Sequence, residues 1–201
     1  MDPARVEALA TQLESKYPAQ ASQVRAPLTL VDEVSASFLD HYTVVSVQVR
    51  SMRHPLLFYA ATAADRPAHL LSSDAADLQE LLADDGAGLD SEADAVAFVR
   101  LLVTLDRKSS RLTRIVESVD DIPLRERLEG STAKQAEIAL SELRASIAAT
   151  TAEASEGGWI VSIWIARDAG VAAERYEVGR DGVLLGHREI SRVELPLIVV
   201  G

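Results

Sequence analysis

The strongest pattern of hydrophobic and polar positions lies at residues 157–166, GGWIVSIWIA, and it predicts a β-strand. Side chains alternate across a strand, so this run presents two different faces. The first face consists of Trp159, Val161, Ile163 and Ile165, and the second of Ile160, Ser162, Trp164 and Ala166. The first face is entirely apolar and is expected to point to the core. The second face carries a tryptophan among smaller side chains, which makes Trp164 the first candidate for a functional residue.

Helical periodicity appears in four other segments of the chain. Apolar residues at spacings of three and four predict amphipathic helices over residues 3–16 and 132–149. Residues 19–26 are small and polar and are predicted to be a connection. A shorter helix is predicted over residues 73–86. The segment 92–106 follows a capping-box sequence and is apolar on almost every side, so we expect it to be the most central helix.

Runs rich in β-branched and aromatic residues predict further strands in both halves of the chain. In the N-terminal half these are residues 41–50, 56–62 and 68–71, and residues 28–34 fit either a short strand or a lead-in to the next one. In the C-terminal half they are residues 174–179, 183–190 and 195–200, the last as an edge or terminal strand because it contains Pro196. The sequence Arg180-Asp181-Gly182-Val183 predicts a hairpin. Residues 111–118 fit either a strand or a continued helix, and residues 150–156 are predicted to be a polar connection.

These elements predict an α+β fold in which antiparallel sheets pack against helices. A helix, a spacer and three antiparallel strands occur in the same order at residues 4–71 and 132–190, as an internal duplication or as two unrelated halves. This order is similar to the helix-on-curved-sheet arrangement of cystatin-like modules, and the resemblance implies a fold and no function. We predict an N-terminal helix-plus-meander half at 1–86. Central helices and a C-terminal meander follow at 87–201, either sharing a core with the first half or forming one continuous domain.

Composition and charge narrow the classes of function. The 201 residues are 48% hydrophobic and 25% charged, which is typical of a globular protein. The absence of cysteine excludes disulfides, thiol catalysis and cysteine-ligated metals, and fits a reducing compartment. A net charge of −11 disfavours nucleic acid and anionic membranes as partners.

Two further observations bear on location. The N-terminal sequence has no basic region followed by an apolar run, so no secretory signal is expected. The longest apolar stretch, residues 95–105, is interrupted by Arg100 and is too short to span a bilayer. We therefore predict a soluble protein in the cytoplasm.

Sequence motifs for chemistry are sparse. His41, His54, His69 and His187 stand in no metal-binding spacing, so no metal ligand is predicted, although distant residues could converge in the fold. No nucleophile motif and no phosphate-binding glycine loop is present, so no catalytic or cofactor-binding residue is predicted. The acidic pairs are Asp84 with Asp85, Asp120 with Asp121, and Glu174 with Glu177, and the first two lie at helix or loop ends, where they are expected to be solvated. The basic cluster of Arg107, Lys108, Arg111 and Arg114 fits the C-terminal turn of a helix, or else a phosphate or acidic partner.

Three functions remain open on these grounds. The first is a non-enzymatic module that binds another polypeptide, of the immunity, chaperone or adaptor kind, or that self-associates. For this function the predicted partner-binding residues are Trp164, Arg175 and Glu177, which simple alternation places on one face of neighbouring strands. The second is a small-molecule enzyme or binder with a pocket between sheet and helix, favoured if a histidine meets a carboxylate in a cavity. The third is a structural subunit of a larger assembly.

Overall fold

A computed structural model describes residues 3–50, 55–106, 113–125 and 127–198. Within these ranges the chain forms five α-helices and nine strands, and the strands are arranged in two antiparallel sheets. This is the α+β fold with packed helices that the sequence predicts. No helix in the described ranges is both long and apolar enough to cross a membrane.

The N-terminal half forms a four-stranded meander covered by two helices. Its elements are α1 (Pro3–Glu14), α2 (Pro18–Val24), β1 (Thr29–Val34), β2 (Thr43–Val49), β3 (Leu56–Thr62) and β4 (His69–Leu71), with strand order β1-β2-β3-β4. Alternation along β2 divides its valines between two faces. Val45, Val47 and Val49 pack with Leu9 and Leu13 of α1 in one cluster. This sheet therefore buries its outer face under α1 and α2.

Two central helices follow, α3 (Ala75–Asp85) and α4 (Glu92–Leu105). Asp74 caps the start of α3 by accepting a hydrogen bond from the amide of Ala76, and Gly86 ends it with a left-handed φ of 79°. Ser91 and Asp94 form the predicted capping box of α4. Seven of the 14 residues of α4 are buried, more than in any other described helix, which confirms its predicted central position.

The C-terminal half forms a five-stranded sheet. Its elements are β5 (Thr113–Ile115), α5 (Gly130–Arg144), β6 (Thr151–Ser155), β7 (Gly158–Arg167), β8 (Gly170–Gly179) and β9 (Leu184–Glu194). The strand order is β5-β7-β8-β9, and β6 pairs with β7 as well. Because β8 pairs with β7 along its whole length, β5 and β6 share the remaining edge of β7.

The largest hydrophobic cluster joins the two halves. It contains Tyr42 and Tyr59 of the first sheet, Phe98 of α4, and Trp159 and Val161 of β7. The helices α3 and α4 thus lie between the two sheets, and this cluster draws on both of the segments 1–86 and 87–201. A separate cluster places α5 with Trp164 on the outer face of the second sheet.

Three expectations about local structure need correction. Residues 19–26 are largely helical. Pro18 does not only end α1: it is also the first residue of α2, a position that suits the fixed φ of proline. Residues 151–155 form β6, a mostly exposed strand whose small polar residues resemble a linker in sequence. Leu197 makes only an isolated bridge to Leu124, so residues 195–198 form no extended strand, and residues 199–201 lie outside the described ranges.

The last three strands are joined and shaped by local turns. A two-residue loop, Asp168-Ala169, connects β7 to β8, and Asp168 adopts a positive φ of 54°. The predicted hairpin near Gly182 connects β8 to β9, with Gly182 at φ 78°. The pairing of β8 with β9 shifts register twice, which leaves Leu185 and Ile190 as extra residues in β9. Such bulges bend a strand and redirect its side chains.

Candidate functional site

The second sheet buries a carboxylate, Glu174, on its face toward α4. Glu174 is 2% exposed and lies opposite Ile163 in the pairing of β7 with β8. A charged group in such a position is unfavourable unless other charges and hydrogen bonds replace the lost water. The side chains around Glu174 are therefore the natural place to look for function.

Each oxygen of this carboxylate has a polar partner. Arg167 donates a hydrogen bond to Oε1 and forms an ion pair with it. Oε2 accepts a hydrogen bond of 2.8 Å from the Tyr176 hydroxyl and lies 2.8 Å from Nε2 of His187. Nη1 of Arg167 also lies 3.5 Å from the Asp106 carboxylate. These five side chains form one connected network, which we call the Glu174 network.

Strand geometry explains why these residues meet. Arg167 is the last residue of β7, and Glu174 and Tyr176 share one face of β8 because they are two positions apart. His187 lies directly opposite Tyr176 on β9, and the two rings stack with centroids 4.4 Å apart and planes 26° apart. Asp106 follows the last turn of α4. Three strands and the central helix therefore each hold part of the network in place.

A cavity of about 270 Å³ opens beside this network, between α4 and the second sheet. Its walls consist of Ser73, Leu102, Val103, Asp106, Arg167, Tyr176, Leu184 and His187. Leu102, Val103 and Leu184 give it apolar walls, and four of the other residues belong to the Glu174 network. An apolar cleft with a few convergent polar groups is the usual form of a small-molecule site.

The electrostatics of the network set the protonation of its two rings. Burial lowers the pKa of His187, the Arg167 guanidinium lowers it further, and Glu189 acts in the opposite direction. The imidazole is accordingly neutral near pH 7, and we assign its proton to Nε2 because this nitrogen lies 2.8 Å from Oε2 of Glu174. Burial raises the pKa of Tyr176 against the opposing effect of Arg167, so its hydroxyl stays protonated and donates. Nδ1 of His187 then carries a lone pair that can accept a proton or a hydrogen bond.

The predicted partner-binding residues lie on the opposite face of the same sheet. Trp164 is half-buried against the cluster that includes α5, so the chain itself covers part of its ring. Arg175 and Trp164 line a second cavity, of about 430 Å³, whereas Glu177 is exposed and lies outside that lining. The common face that alternation predicts is therefore present. Binding of a partner by Trp164, Arg175 and Glu177 stays a prediction.

Distant residues also converge around His69. Its Nε2 lies 2.9 Å from Oδ2 of Asp84 and 3.4 Å from the Tyr42 hydroxyl. Ligand atoms of His69, Glu80 and Asp84 lie within 4.8 Å of one another, so these three could hold a metal ion although their spacing in the sequence predicts none. The contact with Asp84 already gives Nε2 of the buried ring a charged partner. The cluster can therefore serve a structural role without a cation.

The neighbouring Asp85 has a structural role. Its buried carboxylate accepts hydrogen bonds of 2.7 to 3.2 Å from the backbone amides of Asp40, His41 and Tyr42. Burial acts to raise the pKa of Asp85, but the three amide donors outweigh it and lower the pKa below its ordinary value. This acidic residue is thus buried, contrary to the solvated position expected for the pair with Asp84.

The basic cluster is only partly placed. Arg107, Lys108 and Arg111 lie outside the described residues, as does His54. Arg114 is exposed on β5. The alternative interpretations of this cluster stay predictions.

No model of a protein family matches the chain, and neither a curated protein nor a solved structure matches it.

The sequence singles out Glu174, as a pair with Glu177, and also His187, but it predicts no catalytic or binding role for either residue. The overlooked signal is alternation along β8, where Glu174 occupies the same face as Tyr176 and Val178. A carboxylate on a core-facing position must find partners, and this could have identified Glu174 before Trp164. The identity of those partners depends on the pairing of β7, β8 and β9, which the sequence does not state.

Proposed function

We propose that this protein binds a small molecule in the cavity beside the Glu174 network, between α4 and the second sheet. The proposal rests on one contact: His187, which lines this cavity, has its Nε2 2.8 Å from Oε2 of the buried Glu174. A histidine that meets a carboxylate in a concave pocket is the feature that separates this function from a pure interaction module.

The network supports binding because its geometry is fixed before a ligand arrives. Glu174 orients the His187 ring through Nε2, and Tyr176 packs against the ring face. Ordering these groups therefore adds little to the cost of binding. The free Nδ1 of His187 favours a ligand with a hydroxyl or amine donor, and an apolar part of the ligand can contact Leu102 and Leu184.

Neutral His187 also has the properties of a general base. A carboxylate on one nitrogen stabilises the imidazolium that forms when the other nitrogen takes a proton. Binding is the function proposed, and proton transfer would require a ligand whose donor hydrogen is acidic enough to be removed. The interaction function predicted from Trp164 has weaker support, because the chain covers part of that ring.

A protein-observed NMR screen against small alcohols, amines and amides tests the proposal. We expect donor-bearing compounds with an apolar group to bind and to shift the resonances of His187 and Leu102. His187→Ala should abolish the shift of the Leu102 resonance. His41→Ala is the matched control, because His41 is a half-exposed histidine on another part of the surface. The proposal fails if no compound shifts these resonances at millimolar concentration, or if both variants bind equally.

A further inference from the structure

Two arginines face each other on the outer side of the second sheet. Arg175 of β8 and Arg188 of β9 are directly opposed in the antiparallel pairing. Like charges in opposed positions destabilise a sheet. Neither arginine makes an ion pair or a side-chain hydrogen bond with another described residue.

Other arginines of the same sheet are paired. Arg167 contacts Glu174 and Asp106, and Arg192 contacts Glu189 and Glu194. The chain has 31 acidic and 20 basic residues, so carboxylates are plentiful. The two opposed arginines thus present a local positive charge on an acidic protein, and neither has an ion-pair partner among the described residues, although Glu177 lies further along the same face.

A cavity of about 430 Å³ lies at these arginines. Trp164 and Ile190 supply apolar surface to it, and Ser162 supplies a hydroxyl beside Arg175. The segment after α5 closes one side with Ala149. This volume is within the range of small-molecule sites, and the guanidinium groups can bind a carboxylate with paired hydrogen bonds.

The strand irregularity in β9 shapes this cavity. The register of β8 with β9 shifts between Ala173 and Glu174: Ser191 opposes Ala173, Glu189 opposes Glu174, and Ile190 between them is an extra residue. Ile190 is 54% exposed, although large aliphatic side chains are usually buried. The bulge directs this side chain beside the arginines, where it can contact an apolar group of a ligand.

We infer that this cavity binds a small organic acid, with its carboxylate on Arg175 and Arg188 and its apolar or aromatic part on Trp164 and Ile190. The charge of the arginines selects the carboxylate, and the tryptophan and isoleucine select the apolar part. The site lies on the face of the sheet opposite the Glu174 network. It does not depend on the function proposed for that network.

Binding of phenylacetate to the full chain tests this inference. The indole N–H resonance of Trp164, identified with the variant Trp164→Phe, reports on the cavity. Phenylacetamide tests the need for charge, and inorganic phosphate tests the need for the apolar part. We expect phenylacetate to shift the Trp164 resonance and to bind at least about tenfold more tightly than either of the others, because charge-assisted hydrogen bonds and apolar contact both contribute.

Arginine variants then identify the ligand's partners. We expect Arg175→Gln and Arg188→Gln each to weaken phenylacetate binding about tenfold. Arg192→Gln is the matched control, because it removes the same charge from β9 at a paired arginine. It should change the affinity less than about twofold, and circular dichroism should show that all three variants are folded.

Several results would overturn the inference. These are absence of phenylacetate binding at millimolar concentration, equal binding of phenylacetamide, tighter binding of phosphate, and an equal effect of Arg192→Gln and Arg188→Gln. Capture of an acidic polypeptide through Arg175 and Arg188, without binding of phenylacetate, would likewise replace the small acid by a protein partner.

Discussion

The two faces of the second sheet differ in whether their arginine side chains are paired with carboxylates. On the face toward α4, the Arg167 charge is matched by the buried carboxylate of Glu174. On the outer face, Arg175 and Arg188 oppose each other, and neither forms an ion pair with a carboxylate in the described part of the chain. Glu174 and Arg175 are adjacent in sequence, so the alternation of β8 alone separates the two environments.

This difference indicates where each face obtains its stability. Inside, removal of one charge leaves its partner buried and uncompensated, so the network is coupled to folding. Outside, Arg188 is exposed and Arg175 is half-buried, and neither is held in an ion pair with a described residue, so each can be changed at a smaller cost. Mutations on the inner face should therefore alter stability strongly, whereas mutations on the outer face should mainly alter binding.

The largest effect is expected from Glu174→Ala. This change leaves Arg167 without its buried partner and removes the hydrogen-bond acceptor of Tyr176 and His187, at a cost of about 3–5 kcal/mol in the free energy of unfolding. Urea denaturation measures this cost. Glu177→Ala, on the exposed face of the same strand, is the control and should change stability by about 0.5 kcal/mol or less. An equal loss in the free energy of unfolding for the two variants would mean that the two faces do not differ in their contribution to stability.

An intermediate effect is expected from Trp164→Ala. Trp164 is half-buried by the layer that contains α5, so truncation should lower the free energy of unfolding by about 2 kcal/mol. A loss below about 0.5 kcal/mol in urea denaturation would mean that the ring is free to anchor a partner. A loss above about 4 kcal/mol would mean that the ring belongs wholly to the core.

The smallest effect, and the only expected gain, is that of Arg188→Gln. Removal of one of two opposed like charges should raise the free energy of unfolding by about 0.2–1 kcal/mol at low salt. Added salt should reduce the gain because it screens the repulsion in the parent protein. Destabilisation by this variant in thermal unfolding would show that Arg188 has a stabilising contact.

Features that depend on residues close together in the sequence could be predicted, whereas features that depend on contacts between distant segments could not. The helix α4 was predicted well, because its capping box and its apolar positions are local. The faces of β7 followed from alternation. The strand β6 was missed because an exposed edge strand of small polar residues has no apolar pattern, and its structure depends on pairing with β7.

The candidate site was less predictable than the fold. Arg167, Glu174 and His187 come from three strands, and their meeting depends on pairing register, including two bulges in β9. Single-residue signals existed, such as a carboxylate on a core-facing position of β8. Their combination required the three-dimensional arrangement, and so did the convergence of His69 with Glu80 and Asp84.

The pH dependence of stability follows from the same network. His187 binds a proton less tightly in the folded protein than at its ordinary pKa of 6.5, which applies to the unfolded chain. Its contribution to stability is therefore complete above pH 6.5 and is lost as the pH falls toward the folded pKa. His187→Gln should remove this component, which urea denaturation between pH 5 and pH 8 would detect.

The most direct test of the central claim is ¹⁵N NMR of the His187 ring as a function of pH. We expect a neutral imidazole at pH 7.5 with its proton on Nε2 and a lone pair on Nδ1, and a pKa below 6.5. A ring protonated on Nδ1 in its neutral form, or a pKa above 6.5, would contradict the account. Either result would mean that His187 does not offer an acceptor to the cavity near neutral pH.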